Sequence, residues 1–162
     1  HKLDMENTFF LQQKHQAIEE GSFHNDIVSL SNKNVFIAHE DAFQNRDDLK
    51  KMLNILESKI DNFQYIEISN SEIPLKDIIS SYLLNSQLIT NVDNEMQLIL
   101  PDEVKEYDNC LSWLDKLKQI SDVKLFDYVD IRQSMMNGGG PACLRLKVIL
   151  NDKELDSLTK TS

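Results

Sequence analysis

Residues 26–68 read DIVSLSNKNVFIAHEDAFQNRDDLKKMLNILESKIDNFQYIEI, and their pattern changes period twice. Asp26–Ser31 (DIVSLS) and Val35–Ala38 (VFIA) are short runs rich in β-branched and apolar residues. Asn32-Lys33-Asn34 between them is turn chemistry, so the pair reads as a β-hairpin. From Asp41 to Ile60 the apolar residues Leu49, Met52, Leu53, Leu56 and Ile60 fall on one helical stripe. Phe63–Ile68 (FQYIEI) returns to strand character. The stretch is therefore a β-β-α-β unit.

The same order recurs downstream. Pro74 opens a short helix carrying Leu75, Ile78, Ile79, Tyr82 and Leu83. Gln87–Thr90 and Met96–Leu100 read as strands joined by Asn91-Val92-Asp93-Asn94. Pro101-Asp102 opens a third helix with Val104, Tyr107, Leu111, Leu114 and Leu117 on one face, and Val123–Val129 is a strand. Leu144–Leu150 (LRLKVIL) is expected as another strand, and Asn151-Asp152 as the cap of a last short helix. Alternating strands and helices indicate an α/β layer architecture with two ββαβ units.

Composition narrows the function classes. The chain has 162 residues, enough for one domain with a real core, and 41% of them are apolar. Seventeen basic against 27 acidic side chains give a net charge of −10, which disfavours nucleic acid or an anionic membrane as partner. No uncharged apolar run is long enough for a transmembrane helix, and no signal pattern precedes Met5, so a cytoplasmic location is expected. Two cysteines, Cys110 and Cys143, are too few for a disulfide framework and are expected as free thiols.

The segment Gln133–Leu144 (QSMMNGGGPACL) concentrates unusual residues: three of the four glycines, one of the three prolines and one of the two cysteines. Consecutive glycines remove every Cβ and let the backbone approach a ligand closely. Cys143 follows at the start of an apolar run, where a thiol beside an open loop is placed for nucleophilic attack. The alternative is a flexible loop followed by a small buried residue. A nucleotide P-loop fits less well, because no Lys-Ser/Thr or helix follows the glycines.

A cysteine nucleophile needs an acid–base partner, and His24 in Phe23-His24-Asn25-Asp26 stands at a strand entrance beside a carboxylate. His-x-Asp could instead contribute to a metal site or simply sit at the surface. His15 and His39 lie in polar surroundings and are expected to be solvated. Cys110, Trp113, the phenylalanines at 9, 10, 43, 63 and 126, and the pair Met135-Met136 are expected to serve packing.

QSMMNGGGPACLRLKV (133–148) resembles the C-terminal active-site motif of the N-succinylarginine dihydrolase family. FHNDIVSLSNKNV (23–35) is similar to that family's histidine segment, and SYLLNSQL (81–88) to a helix-to-strand segment between the two. The resemblance runs in order from about Thr8 to about Asp156. It implies the pentein fold, a five-bladed α/β propeller of ββαβ blades. Residues 1–162 would then be a single partial domain, its middle-to-late portion, with about two blades and mixed sheets. It implies hydrolysis of N2-succinyl-L-arginine to N2-succinyl-L-ornithine, carbon dioxide and two ammonia molecules, with no metal or organic cofactor. Cys143 matches the family's nucleophile and His24 its catalytic histidine. Asp26 and Asn137 match substrate-binding residues. The family's glutamate and substrate-binding arginines lie upstream of any match here, and Met136 stands where relatives are expected to carry a basic residue. A chain cut from a propeller is expected to associate, a homodimer being one form, or to lack turnover alone. Arginine deimination, amidino transfer and a non-catalytic fragment are the alternatives. A papain-like protease is disfavoured because His24 precedes Cys143.

Overall fold

A computed structural model describes residues 8–144 and the single positions Asn151, Lys153 and Ser157. In the first unit, β1 (Ser29–Asn32) pairs antiparallel with β2 (Val35–His39). Lys33 takes the left-handed turn between them at φ 48°. Helix α2 (Arg46–Lys59) then carries the chain to β3 (Gln64–Ile68), which lies parallel to β2. The second unit repeats this plan. β4 (Gln87–Thr90) pairs antiparallel with β5 (Met96–Pro101), and α4 (Asp108–Ile120) leads to β6 (Val123–Val129), parallel to β5. The result is two three-stranded mixed sheets, ordered β1-β2-β3 and β4-β5-β6. Both expected ββαβ units are present. Three further helices connect or flank them: α1 (His15–Glu19), α3 (Leu75–Ser81) and α5 (Arg132–Met135). No described helix is long and apolar enough to cross a membrane.

Strand alternation distributes the core. Val35 and Ile37 of β2 face a cluster shared with Leu88, Leu98 and Leu100 of the second sheet and with Trp113 and Leu117 of α4. Ala38, from the opposite face of β2, joins Leu49 and Met52 of α2 in a second cluster. The first sheet is thus covered on both sides. Each fully buried Leu or Ile stabilises the fold by about 1.5–3 kcal/mol. Polar contacts join the two hairpins at their turns. Asn32 Nδ2 donates to Thr90 Oγ1 (2.8 Å), and Lys33 Nζ to Asn94 Oδ1 (2.8 Å).

Several boundaries differ from expectation. β1 begins at Ser29 because Asn25–Ile27 winds into a 3-10 helix. Helix α2 begins at Arg46, where the Asn45 side chain caps it by accepting from the Asp47 and Asp48 amides. Ahead of that cap, Phe43 forms an isolated bridge with Gln13. The expected third helix is two pieces, a 3-10 helix at Asp102–Glu106 and then α4, with Tyr107 extended between them. Val104 and Cys110 are both buried, yet six residues apart they would point about 120° apart on one helix. The break lets both reach the core. Helix α3 stops at Ser81 because Tyr82 adopts a left-handed conformation (φ 56°), and Leu83–Asn85 is a 3-10 helix. The expected strand 144–150 lies outside the described residues beyond Leu144, which itself ends a 3-10 helix (Pro141–Leu144). Asp152 also lies outside them, while Lys153 and Ser157 have helical backbone.

His39 is not solvated. It is 1% exposed, on the same face of β2 as Val35 and Ile37. The Asp41 amide donates to Nδ1 (3.1 Å), so the ring proton sits on Nε2 and is directed at the Ile73 carbonyl (3.1 Å). Burial pushes this imidazole below its ordinary 6.5, against the opposing pull of Asp41, Glu40 and Glu67. A folded-state value below the unfolded one means that stability is full above about pH 6.5 and falls as pH drops through the folded value. The melting temperature is therefore expected to decline between about pH 7 and pH 5, with a smaller slope in His39→Gln. An equal slope in both proteins would assign the acid sensitivity to other groups.

Candidate active site

Three segments meet at one end of the two units: the loop 22–28, the turn 82–87 and the glycine loop 133–144. Local sequence explains each. In the first, Ser22 Oγ donates to the His24 carbonyl (3.1 Å), and His24 stays extended before the 3-10 helix Asn25–Ile27. In the second, the left-handed Tyr82 ends α3 and turns the chain into Leu83–Asn85. Such backbone in a non-glycine residue costs about 1–2 kcal/mol, held here by the surrounding packing. In the third, α5 ends in successive tight turns: Asn137 N and Gly139 N both donate to Ser134 O (2.9 and 3.1 Å).

Asn85 lies at the meeting point and is fully buried. Its Nδ2 donates to the Asp26 backbone carbonyl (3.4 Å), and its Oδ1 receives the Cys143 thiol (3.6 Å). One side chain thereby links the acidic segment to the cysteine. Gly140 explains how the amide fits. A Cβ there would stand 2.1 Å from Asn85 Oδ1 and 2.7 Å from Tyr82 Cδ1. The glycine is needed for close approach. Gln87 Nε2 adds a bond to the Pro141 carbonyl and fixes the loop from the second sheet. Gly138 (φ 82°) faces Phe23, whose ring meets the His24 imidazole edge-on at 4.9 Å.

The expected site residues fall into two sets. Asp26 and Cys143 are brought together through Asn85, and His24 precedes Asp26 by two residues on the same segment. His24 and Cys143 are both exposed. Asn137 is exposed and its Nδ2 donates to the Gln133 carbonyl (3.0 Å), within its own turn. Among the described residues, no three of His, Cys, Asp and Glu are grouped to hold a metal ion. Cys143 stands on the 3-10 helix Pro141–Leu144, and the strand expected after it lies outside the described residues. Met136 is 83% exposed and not packed as expected.

An open cavity of about 550 Å³ lies beside these segments, lined by Asp26, Ser86 and Ala142 and by the apolar Phe36, Phe43 and Leu84, among others. Two of its lining residues each hold a buried oxygen, Asp26 Oδ1 and Ser86 Oγ, that has no hydrogen-bond partner among the described residues. A buried acceptor left unpaired costs about 1–3 kcal/mol. The Tyr82 phenol is pushed above its usual range, first by burial and then by the neighbouring Cys143. The second cysteine is different in kind. Cys110 is fully buried, its thiol faces Ser81 Oγ (3.7 Å), and burial pushes it up to about 11.

Asn85, Ser86 and Tyr82 carry the geometry and went unassigned in the sequence. The available signal was the polar pair Asn85-Ser86 interrupting the apolar run Leu83-Leu84…Leu88. The strain at Tyr82 has no counterpart in residue type.

The whole chain, residues 1–162, matches the protein family described as succinylarginine dihydrolase. It is 41% identical over 159 residues to the N-succinylarginine dihydrolase of Idiomarina loihiensis, covering 96% of this chain and 35% of that protein. It is 39% identical over 163 residues to that of Shewanella sediminis, covering 99% and 36%. It is 40% identical over 166 residues to that of Yersinia pestis, covering 98% and 36%. The chain spans about a third of the length of the curated relatives it matches. The family match spans residues 1–162 and so takes in the 22–28 loop, the 82–87 turn and the glycine loop: the chain belongs to the succinylarginine dihydrolase family.

Proposed function

We propose that this chain supplies the nucleophile and part of the substrate pocket of an enzyme that hydrolyses N2-succinyl-L-arginine. The products are N2-succinyl-L-ornithine, carbon dioxide and two ammonia molecules, and two waters are consumed. The observation that carries the reading is Asp26 lining the cavity, its buried Oδ1 without a hydrogen-bond partner among the described residues, with Asn85 tying the backbone of the same residue to the exposed thiol of Cys143. A guanidinium is a planar cation rich in N–H donors, and a desolvated carboxylate oxygen is its complement. Two ββαβ units side by side support reading the architecture as two blades of a pentein propeller.

The chemistry follows from the residue types. Asp26 pairs with the guanidinium and Asn137 adds a polar contact. The Cys143 thiolate adds to the guanidinium carbon, and His24 protonates the departing ammonia. This leaves an amidino-thioether. His24 then takes a proton from water, which adds to the same carbon and expels the thiolate, giving a ureido product. In a second round the thiolate displaces the remaining ammonia to form a thiocarbamate. Water releases it as a carbamate, which loses carbon dioxide to leave the ornithine amine.

The test is ammonia release by the full-length protein given N2-succinyl-L-arginine or L-arginine. Two ammonia molecules per succinylornithine, with succinylarginine strongly preferred, is the expected result. One ammonia per turnover, or equal use of arginine, would replace the reading with a deiminase. No release from either compound would leave a non-catalytic member.

A further inference from the structure

Phe23 is a large apolar side chain left 56% exposed on a backbone that is firmly held. Its amide donates to the Gly21 carbonyl (3.0 Å), at a turn where Gly21 takes φ 112°. Ser22 is fully buried, with its amide on the Ala17 carbonyl (2.8 Å) and its hydroxyl on the His24 carbonyl (3.1 Å). Gln13 Nε2 donates to both Ser22 oxygens, at 2.6 and 2.8 Å. These bonds fix the main chain that carries His24. They do not fix the plane of its imidazole, because rotation about the Cβ–Cγ bond of a histidine is broad and roughly two-fold. The Phe23 ring supplies that constraint. The two ring centroids are 4.9 Å apart and the planes are inclined at 64°, close to the edge-to-face arrangement that aromatic pairs favour. The far end of the phenyl rests on the glycine loop, where a Cβ at Gly138 would stand 3.5 Å from Phe23 Cζ. The ring is thus braced between the imidazole and the loop that carries Cys143.

We propose that Phe23 is a positioning residue that sets the plane of the His24 imidazole and its spacing from the glycine loop. A phenyl ring suits this task. It is rigid, and it has no hydrogen-bonding group to occupy either imidazole nitrogen, so both stay free for proton transfer. Proton transfer needs a ring nitrogen within about 2.6–3.2 Å of the reacting atom, and an imidazole turned about its Cβ–Cγ bond directs its nitrogens elsewhere. The exposure of Phe23 then has a reason, since the ring is placed against the histidine rather than in either core cluster. The proton-transfer role of His24 rests on the function proposed above. The control of its ring by Phe23 does not.

The experiment compares Phe23→Leu, which keeps apolar bulk without a flat ring, with Phe23→Tyr, which keeps the ring, both in the full-length protein. With N2-succinyl-L-arginine, kcat is expected to fall about tenfold in Phe23→Leu while KM stays within about twofold. Phe23→Tyr is expected to restore kcat to within about twofold of wild type. Both variants should melt within about 2 °C of wild type, because the ring is mostly in solvent. An unchanged kcat in Phe23→Leu, an equal loss in both variants, an effect confined to KM, or a loss of activity that follows a loss of Tm would each overturn the proposal. A second readout involves no turnover. Crystal structures of the two variants without substrate are expected to show the His24 imidazole turned, or divided between two orientations, in Phe23→Leu and in its wild-type plane in Phe23→Tyr. An imidazole that keeps its plane in Phe23→Leu would sink the idea. Failure of the succinylarginine reading leaves this second readout intact, so the two failures are distinguishable.

Discussion

Replacing Cys143 by Ala in the full-length protein is expected to lower ammonia release from N2-succinyl-L-arginine by about 10⁴-fold or more. The size of the effect follows from the number of times the sulfur is used. In the proposed mechanism each C–N bond breaks after this sulfur has added to the carbon, so its loss blocks both rounds. The chain's other thiol cannot substitute. Cys110 is fully buried on the inner face of α4, directed at Ser81 and pushed up to about 11, so at neutral pH it is neither accessible nor ionised. Cys110→Ala should therefore leave kcat within about threefold, while removing a small packed group. Substrate affinity is expected to survive Cys143→Ala, because the proposed mechanism has Asp26 rather than the sulfur hold the cation. The check is kcat from ammonia release together with a direct binding measurement on the variant. Residual turnover within about tenfold of wild type would exclude the cysteine route. Cys143→Ser is expected to rescue little. An alcohol ionises far less readily than a thiol and is a poorer nucleophile.

The fold was legible where local chemistry and tertiary burial agree. Val35–Ala38 and Gln87–Thr90 are strands for the reasons their side chains suggest, and both hairpins turn at Asn-rich tripeptides or tetrapeptides. Misreadings arose where one stripe of apolar residues admitted two phases. Val104, Tyr107 and Leu111 fit a single helix on paper. The inward face of α4 holds the expected Leu114 and Leu117 together with Cys110 and Trp113 and leaves Leu111 only half-buried, and a break at Tyr107 lets Val104 join them. His39 was misread for the opposite reason. Its sequence neighbours Glu40 and Asp41 are polar, but strand alternation places it with Ile37 rather than with them.

The candidate site was legible in its termini and not in its centre. His24, Asp26, Asn137 and Cys143 stand out as reactive or charged types near unusual loops. Asn85 does not, because its importance depends on what the fold brings within reach: a carbonyl 59 residues away and a thiol 58 residues away. Buried amides with two distant partners have no local signature. The same holds for Tyr82, whose left-handed backbone is enforced by the packing of α3 and the glycine loop rather than by its own preference.

Gly140→Ala is expected to lower kcat by about 10²-fold or more, the second largest effect foreseen, although the substitution adds one methyl group far from any charge. Its Cβ would stand 2.1 Å from Asn85 Oδ1, 2.9 Å from Asn85 Cγ and 2.7 Å from Tyr82 Cδ1. None of these neighbours can yield cheaply. Asn85 is buried and held at both ends of its amide, and Tyr82 sits on strained backbone. Either the loop carrying Cys143 moves outward or Asn85 leaves its place, and each route separates the thiol from the Asp26 segment. A displacement of about 1 Å at a reacting group costs about 10²-fold in rate. Overpacking of this kind also destabilises by about 1–3 kcal/mol, so a fall of several degrees in Tm should accompany the loss. Gly138→Ala is the informative comparison. That position has φ 82°, so a side chain strains the backbone, but its Cβ would meet only Phe23 at an ordinary 3.5 Å. It should lower Tm with much less effect on kcat. If the two alanine variants lose activity in proportion to their stability alone, the glycine run serves folding. A Gly140→Ala loss far beyond its stability cost would mean that the missing Cβ at 140 exists to let Asn85 reach the sulfur.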